Sequence, residues 1–220
     1  MENKAQRLKA FQQIDIYPVT DQGLSLGRAD LDVLEGLIAG GARIVQLREK
    51  HISKKDFYHL AQAFRQRTAK AGMLLIINDH LDLALACGAD GVHLGQDDLP
   101  LPVAKKIAPD LLIGVSTHNL EEALEAQEQG ADYVNIGPIF ATQTKELSMK
   151  PLGPKAIEQI APQLKIPFTV MGGINRSNIQ EVLKAGAGKI AVVTAVTKAD
   201  NIGQAVQELR KIVNDYKSLS

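Results

Sequence analysis

Short apolar runs alternate with amphipathic segments along the chain. The apolar runs are rich in Val, Ile and Leu, as in strands that are buried on both faces. They cover residues 14–19, 40–47, 73–78, 87–95, 111–116, 129–137, 166–171 and 185–193. The segments between them place apolar residues at helical spacing. These cover residues 31–39, 55–71, 81–86, 103–108, 120–129, 154–161, 177–185 and 202–216. The pattern predicts eight strands that alternate with eight helices.

Four of the predicted strands follow a Gly-Ala pair, at residues 41–42, 88–89, 130–131 and 186–187. The glycine suits the position just after a helix, where the backbone is left-handed. Strict alternation of strands and helices indicates a parallel sheet, and eight units fit a (β/α)₈ TIM barrel. Six of the same units could form a doubly wound open sheet, which is the alternative. The repeat recurs at alternate strands, and this favours the barrel.

The chain is expected to fold as one domain over residues 1–220. Its 220 residues are 45% apolar, which is enough for one substantial core, and no linker-like stretch divides them. Residues 1–13 are polar and helix-like, so they predict a short extra helix that covers the lower end of the barrel.

Charge and cysteine content narrow the functional classes. Twenty-five basic residues balance twenty-five acidic ones, which argues against a nucleic-acid partner and against a membrane surface. The N-terminus has no apolar signal region and no run of 18 apolar residues occurs, so a cytoplasmic location is expected. Cys87 is the single cysteine and lies in a helical stretch, where a buried small residue is the expected role. A homo-oligomer remains open.

In a barrel, chemistry belongs on the loops that follow the strands. Gln46, Arg48 and Lys50 alternate along one face at the end of the second strand. An amide with two cations can bind a di- or triphosphate, because Arg offers a planar fork and Lys a point charge. The alternative is that they are exposed charges at a strand end.

Oxygen ligands follow the next two strands. Asn78 and Asp79 end the third strand, and His93 and residues 96–98 belong to the fourth strand and its loop. Carboxylates on adjacent loops suit Mg²⁺, which takes its other ligands from phosphates and water. The alternatives are that Asp79 and Asp98 cap helices and that His93 is a structural, hydrogen-bonded residue.

Residues with hydroxyl side chains and a pair of glycines lie at the ends of the later strands. Ser116 ends the fifth strand, and Asn119 with Glu122 is typical of a helix N-cap. A Gly-Gly turn at residues 172–173 follows the seventh strand, and Thr194 lies near the end of the eighth. Barrels often build a phosphate site from backbone N–H groups at this place.

These motifs together resemble one family. The segments VQLREK, IINDHLDLALACGADGVHLGQDDLP, IGVSTHNLEEA, GADYVNIGPIFATQTK and GGIN, in this order, are similar to thiamine phosphate synthases from about Tyr17 to Val196. The combination is specific, although GGIN or GADGV alone would not be. The resemblance implies a Mg²⁺-dependent transfer of the hydroxymethylpyrimidine unit from its pyrophosphate to the ring nitrogen of hydroxyethylthiazole phosphate. The products are thiamine phosphate and pyrophosphate.

The resemblance also implies roles for matched residues. Asp79 and Asp98 fall on the metal ligands. His93 matches the pyrimidine side, and Ser116 a serine near the departing pyrophosphate. The other pyrophosphate- and pyrimidine-side positions fall on Gln46, Arg48, Lys50 and Asn78. The groups expected to act on the leaving pyrophosphate are Lys145, Ser116, Arg48 and Lys50.

The thiazole phosphate side matches two further segments. Thr142 and Thr144 match threonines that hold this phosphate, and Lys145 matches a lysine that faces pyrophosphate. The backbone-rich end of the same site falls on Gly173, Val193 and Thr194. The loop that carries the threonines is expected to close as a lid.

The chain departs from the family pattern in that loop. Gln143 stands where relatives commonly have proline, which should leave the loop less rigid. Thr194 replaces a common serine and keeps the hydroxyl, while residues 146–150 match no pattern closely.

Two rival functions remain. A related thiazole tautomerase resembles the chain in its barrel and around His118, and a silent module could bind thiamine phosphate without turnover. The complete pyrophosphate set favours the synthase; its members are Arg48, Lys50, Asp79, Asp98 and Lys145.

Overall fold

The computed structural model describes residues 3–142 and 150–219. Its strands are β1 Ile16–Pro18, β2 Ile44–Leu47, β3 Leu74–Asn78, β4 Gly91–Leu94, β5 Leu112–Thr117, β6 Tyr133–Ile136, β7 Phe168–Val170 and β8 Ile190–Val192. Its α-helices are α1 Lys4–Gln12, α2 Asp30–Ala39, α3 Lys54–Ala71, α4 Leu81–Cys87, α5 Leu101–Ile107, α6 Leu120–Glu128, α7 Pro154–Ile160, α8 Ile179–Lys184, α9 Thr194–Thr197 and α10 Ile202–Leu219. Short 3₁₀ turns lie at Gln22–Leu24 and Ala161–Gln163. No helix within the described ranges is long and apolar enough to cross a membrane.

The eight strands form one parallel sheet in the order β1-β8-β7-β6-β5-β4-β3-β2. Its two ends meet, because Val19 forms a parallel bridge with Gln46 and the Thr20 N–H donates to the Gln46 carbonyl at 2.9 Å. The predicted (β/α)₈ barrel is therefore confirmed, and the open-sheet alternative is wrong.

The Gly-Ala repeat also behaves as predicted. The glycines Gly41, Gly88, Gly130 and Gly186 all have positive φ, between 67° and 100°. Each ends a helix in a conformation that a residue with a Cβ rarely adopts, and the chain then turns into the next strand. The periodicity missed the four-residue helix α9 and the two short 3₁₀ turns.

Alternate strand residues form two apolar layers. Val45, Leu75 and Ile113 point outward and pack against the helices. Ile44, Leu74 and others point inward, where they fill the barrel with Phe11 from α1. Both faces of each strand are therefore buried, as the continuous apolar runs predicted.

Helix α1 packs against the starting end of the barrel. Phe11 is fully buried, and its ring centroid lies 4.2 Å from that of Tyr133 and 6.3 Å from that of Tyr17. Arg7 Nε lies 3.3 Å from Asp90, and Lys4 Nζ lies 2.8 Å from Asp132. The helix is thus attached both through an aromatic contact in the interior and through ion pairs at the rim.

Carboxylates hold the loop after β1 against the end of β2. Asp21 pairs with Arg48, and the Gln22 N–H donates to Glu49 Oε1 at 2.8 Å. Asp30, at the start of α2, is 5% exposed and lies within side-chain hydrogen-bonding reach of Glu49, while its Oδ1 is buried and has no hydrogen-bond partner among the residues that the structure describes. Burial, helped by the charges of Glu49 and Asp21, raises the pKa of Asp30 to about 7.

We predict that Phe11→Ala lowers the free energy of unfolding by about 3–5 kcal/mol, because it leaves a cavity beneath two aromatic rings. Chemical denaturation measures the change. Gln12→Ala, on the exposed side of the same helix, is the control and should stay within about 0.5 kcal/mol of the parent. A Phe11→Ala protein as stable as this control would show that α1 does not contribute to the barrel.

A second prediction concerns Asp30→Asn. The folded-state pKa of Asp30 is raised above its ordinary 3.8, so the folded protein binds more protons than the unfolded chain between about pH 4 and pH 7, and its stability falls as pH rises through that range. Asparagine cannot ionise, so the stability of the variant relative to the parent should increase by about 1 kcal/mol or more from pH 5 to pH 8.

Denaturation at the two pH values tests this prediction. Asp32→Asn is the control, because it removes a carboxylate from the same first turn of α2 but from an exposed position. An Asp30→Asn effect on stability that does not change between the two pH values would contradict a raised pKa of Asp30.

Candidate functional site

A cavity of about 380 Å³ opens at the carboxyl ends of the strands. Most of the residues singled out in the sequence line it; they are Gln46, Arg48, Lys50, Asn78, Asp79, His93, Asp98, Ser116, Thr142, Val193 and Thr194. They come from β2, β3, β4 and β5, from the loops after β2, β3, β4, β6 and β8, and from the first residue of α9. Residues far apart in the chain thus meet at the face where barrel enzymes place their chemistry.

One of the singled-out residues does not line this cavity, and two others lie outside the described residues. Gly173 lies beside the wall, and Gly172 lines the cavity in its place. A Cβ on Gly173 would overlap the Ala141 carbonyl, so this glycine lets the loop after β6 pack closely. Thr144 and Lys145 lie outside the described residues, as do all of residues 143–149 in the loop expected to form a lid.

Sequence reasoning missed several cavity residues. Tyr17 and Asn135 line the cavity from the interior faces of β1 and β6, and Met171 lines it after β7. The sequence shows only that Asn135 is a polar residue in an apolar strand and that it shares a strand face with Tyr133, two residues earlier. Which face of the strand points into the barrel depends on the pairing with neighbouring strands, and the sequence does not show this.

One wall of the cavity carries positive charge. Arg48 is oriented by its ion pair with Asp21, and its backbone N–H donates to Thr20 Oγ1 at 3.1 Å. Lys50 is exposed at the rim of the same wall. One cation is therefore held in place by the loop after β1, while the other extends into solvent.

Two carboxylates lie close together beside that wall. Asp79 and Asp98 are within side-chain hydrogen-bonding reach, and Asp98 Oδ2 accepts from the Gly95 N–H at 2.6 Å. Asp79 has a left-handed backbone with φ of 61°, which is uncommon for a residue other than glycine. Neither residue is a helix N-cap: the caps of α4 and α5 are His80 and Pro100. The capping alternative is therefore wrong for both aspartates.

The paired carboxylates repel each other. Burial, then the hydrogen bond and charge of Asp98, raise the pKa of Asp79, while Lys50 and Arg48 act in the opposite direction. No group of three or more His, Cys, Asp or Glu side chains in residues 3–142 and 150–219 is arranged to hold a metal ion. Two carboxylates on a polar cavity wall nevertheless fit Mg²⁺, which usually completes its octahedron with water and phosphate oxygens.

A chain of hydrogen bonds crosses the barrel below the cavity. Gln46 Nε2 donates to Tyr17 OH at 2.9 Å, and Tyr17 OH lies 3.0 Å from Tyr133 OH. Tyr133 OH lies 3.1 Å from His93 Nδ1, and His93 Nε2 lies 2.9 Å from Ser116 Oγ. The chain joins side chains from β2, β1, β6, β4 and β5. Only Tyr133 among its members does not line the cavity.

His93 is a neutral member of this chain. It is 5% exposed, and burial lowers its pKa to about 4. Both ring nitrogens are within hydrogen-bonding distance of hydroxyl groups, which fits the structural alternative, and the ring also lines the cavity. A cationic general acid at this position is inconsistent with such burial at neutral pH.

Gly114 provides the space for Tyr133. The two residues are direct partners in the pairing of β5 with β6. A Cβ on Gly114 would overlap the tyrosine ring, so the absence of a side chain in β5 allows the ring to lie across the barrel interior.

The loop after β5 is fixed by a local cap. Asn119 Oδ1 accepts from the Glu122 N–H at 2.8 Å, which confirms the predicted N-cap of α6. Glu122 Oε2 accepts in turn from the His118 N–H at 2.8 Å, and His118 Nδ1 lies 2.6 Å from the Gly137 carbonyl. Because a carbonyl only accepts, Nδ1 of His118 carries the proton, and its ring lines the cavity.

The end of β8 differs from its prediction in one respect. Thr194 begins the short helix α9, where the sequence suggested a strand end. Val193 remains at the cavity wall and Thr194 is exposed beside it.

Comparisons with known proteins identify the family. A sequence profile described as thiamine monophosphate synthase matches residues 16–196. The thiamine-phosphate synthase of Chloroflexus aurantiacus is 48% identical over 199 residues, which cover 90% of this chain and 92% of the relative. That of Caldicellulosiruptor saccharolyticus is 40% identical over 98% of both chains. The solved structure of thiamine phosphate pyrophosphorylase from Pyrococcus furiosus superimposes with a TM-score of 0.86 at 39% identity, covering 96% of this chain and 98% of that one. This chain therefore belongs to the thiamine monophosphate synthase family.

Proposed function

We propose that the protein transfers the 4-amino-2-methyl-5-pyrimidinylmethyl group from hydroxymethylpyrimidine pyrophosphate to the nitrogen of hydroxyethylthiazole phosphate. The reaction yields thiamine phosphate and pyrophosphate and belongs to thiamine biosynthesis. The protein is an enzyme of the transferase class, in keeping with its thiamine-phosphate synthase relatives. The observation that carries the finer proposal is the meeting of Arg48, Lys50 and the Asp79–Asp98 pair in one cavity.

The cations are proposed to hold the pyrophosphate. Arg48 can offer parallel N–H donors to phosphate oxygens, and Lys50 adds a mobile charge at the rim. Asp21 keeps the guanidinium in place through its ion pair. Negative charge builds up on the leaving group during transfer, so preplaced cations stabilise the transition state more than the ground state.

Asp79 and Asp98 are proposed to bind Mg²⁺. When bound, the ion would neutralise pyrophosphate oxygens and so make pyrophosphate a better leaving group. Asn78, adjacent in sequence and also at the cavity wall, supplies a further oxygen or amide donor toward the same substrate.

No residue of the protein needs to act as a covalent nucleophile. The pyrimidinylmethyl carbon can lose pyrophosphate through a carbocation-like transition state, because the aminopyrimidine ring is electron-rich. The protein then has to hold the thiazole nitrogen in line and keep water from the reactive carbon. The cavity supports this role through its apolar members Val19, Met171 and Ile174.

The thiazole phosphate is proposed to bind at the part of the cavity that follows β6, β7 and β8. Thr142, Val193 and Thr194 line the cavity there, together with Gly172. The roles of Gly173, Thr144 and Lys145 stay predictions. If Lys145 contacts the leaving pyrophosphate, the loop after β6 would connect the binding of the two substrates.

The direct test is a coupled assay with purified protein, Mg²⁺ and both substrates. Thiamine phosphate and pyrophosphate should appear in equal amounts, and omission of either substrate should abolish thiamine phosphate. Release of no pyrophosphate under these conditions would contradict the proposed transfer. Binding of thiamine phosphate without turnover would instead favour a silent binding protein.

A further prediction concerns Asp79→Asn. Asparagine tolerates the left-handed backbone, so the change removes mainly charge. The Mg²⁺ concentration for half-maximal activity should rise about tenfold or more, because the metal site loses one of its two carboxylates. Magnesium titrations of the steady-state rate measure the shift.

Asp97→Asn is the matched control for this titration. It removes one charge from the same cavity, but Asp97 is exposed and is not among the groups that shift the pKa of Asp79. Its magnesium dependence should equal that of the parent. An Asp79→Asn protein with the parent's magnesium dependence would exclude Asp79 as a ligand.

A further inference from the structure

The hydrogen-bond chain below the cavity can carry its protons in only two orders. Each tyrosine or serine hydroxyl has one proton to donate, and a neutral imidazole has one N–H. When Gln46 Nε2 donates to Tyr17, as in this structure, Tyr17 donates to Tyr133 and Tyr133 donates to His93 Nδ1. In the opposite order every donor becomes an acceptor.

The order determines what each end of the chain offers to the cavity. If Tyr133 donates to His93 Nδ1, the ring proton lies on Nε2 and is donated to Ser116 Oγ. The Ser116 hydroxyl proton is then available to a ligand, and the carbonyl oxygen of Gln46 is available as an acceptor. In the opposite order, Ser116 would offer a lone pair and Gln46 its amide N–H groups.

A phosphate oxygen decides between the two orders. An ionised phosphate only accepts hydrogen bonds, so a phosphate group at Ser116 requires this residue to donate. A donating Ser116 fixes the proton order of the whole hydrogen-bond chain. In this order Gln46 donates to Tyr17, and its side-chain carbonyl oxygen faces the cavity. The order requires a neutral His93 ring with one hydroxyl partner at each nitrogen, because a cationic ring would donate from both nitrogens.

We propose that Tyr133 is a positioning residue that couples the two ends of the cavity. Through it, a phosphate group at Ser116 orients the Gln46 amide to accept from the exocyclic amino group of an aminopyrimidine. This inference rests on the proposed function, and it adds a residue that touches neither substrate. Tyr133 is fully buried and does not line the cavity, so any effect on ligands has to pass through its neighbours.

The first experiment reads the proton order in the parent protein. Nitrogen NMR of the imidazole groups in protein labelled with ¹⁵N-histidine, with inorganic pyrophosphate and Mg²⁺ added, should show His93 neutral with its proton on Nε2. A proton on Nδ1 of His93 would overturn the proposal. This readout does not depend on catalysis, so it decides the inference even if the protein makes no thiamine phosphate.

The second experiment measures coupling in the Tyr133→Phe protein. Phenylalanine keeps the ring that packs on Phe11 and lies beside Gly114, and it removes only the hydroxyl. In the parent, saturating inorganic pyrophosphate with Mg²⁺ should tighten the binding of 4-amino-5-hydroxymethyl-2-methylpyrimidine about fivefold or more. In Tyr133→Phe this coupling factor, the ratio of the pyrimidine's dissociation constants without and with pyrophosphate, should fall to about one.

Thr169→Val is the matched control. Thr169 is fully buried in β7 and donates to Asn135 Oδ1 at 2.7 Å, so its loss removes a buried hydroxyl from the barrel without cutting the chain. The coupling factor should remain at the parent value in this variant. A Tyr133→Phe protein that synthesises thiamine phosphate and keeps the parent's coupling would overturn the role of Tyr133 while leaving the proposed function intact.

Discussion

The pairing between the end of β1 and Gln46 is the interaction on which the site depends. It closes the barrel, because Val19 bridges Gln46 and the Thr20 N–H donates to its carbonyl. The same closure brings Asp21 to Arg48 and Tyr17 to the Gln46 side chain. Backbone pairing at one seam thus positions both the cationic wall and the first member of the interior hydrogen-bond chain.

Much of this arrangement could be predicted from the amino-acid sequence. Continuous Val, Ile and Leu runs mark strands that are buried on both faces, and the Gly-Ala pairs mark the turns that lead into them. Once a barrel is assumed, residues just after a strand must meet at one face, which is why Arg48, Asp79 and Asp98 could be grouped although 50 residues separate the first from the last.

The remaining features depend on contacts that are distant in sequence. In the sequence, Tyr133 is an ordinary aromatic residue of a predicted strand. Its pairing with Gly114 in the structure shows that the ring crosses the interior of the barrel. Thr194 belongs to a helix of four residues, which is too short to give a periodic signal. Asp79 resembles a helix cap by position, but its left-handed backbone points to a different role.

The double contact of Tyr133 limits how independently the two ends of this barrel can evolve. In many barrels the lower end serves stability and the upper end serves chemistry, so loops can be exchanged without attention to the base. Here one ring stacks on Phe11 of α1 while its hydroxyl meets His93 beneath the cavity. Exchanging the N-terminal helix between relatives, or grafting a new activity onto this scaffold, would therefore change both ends together.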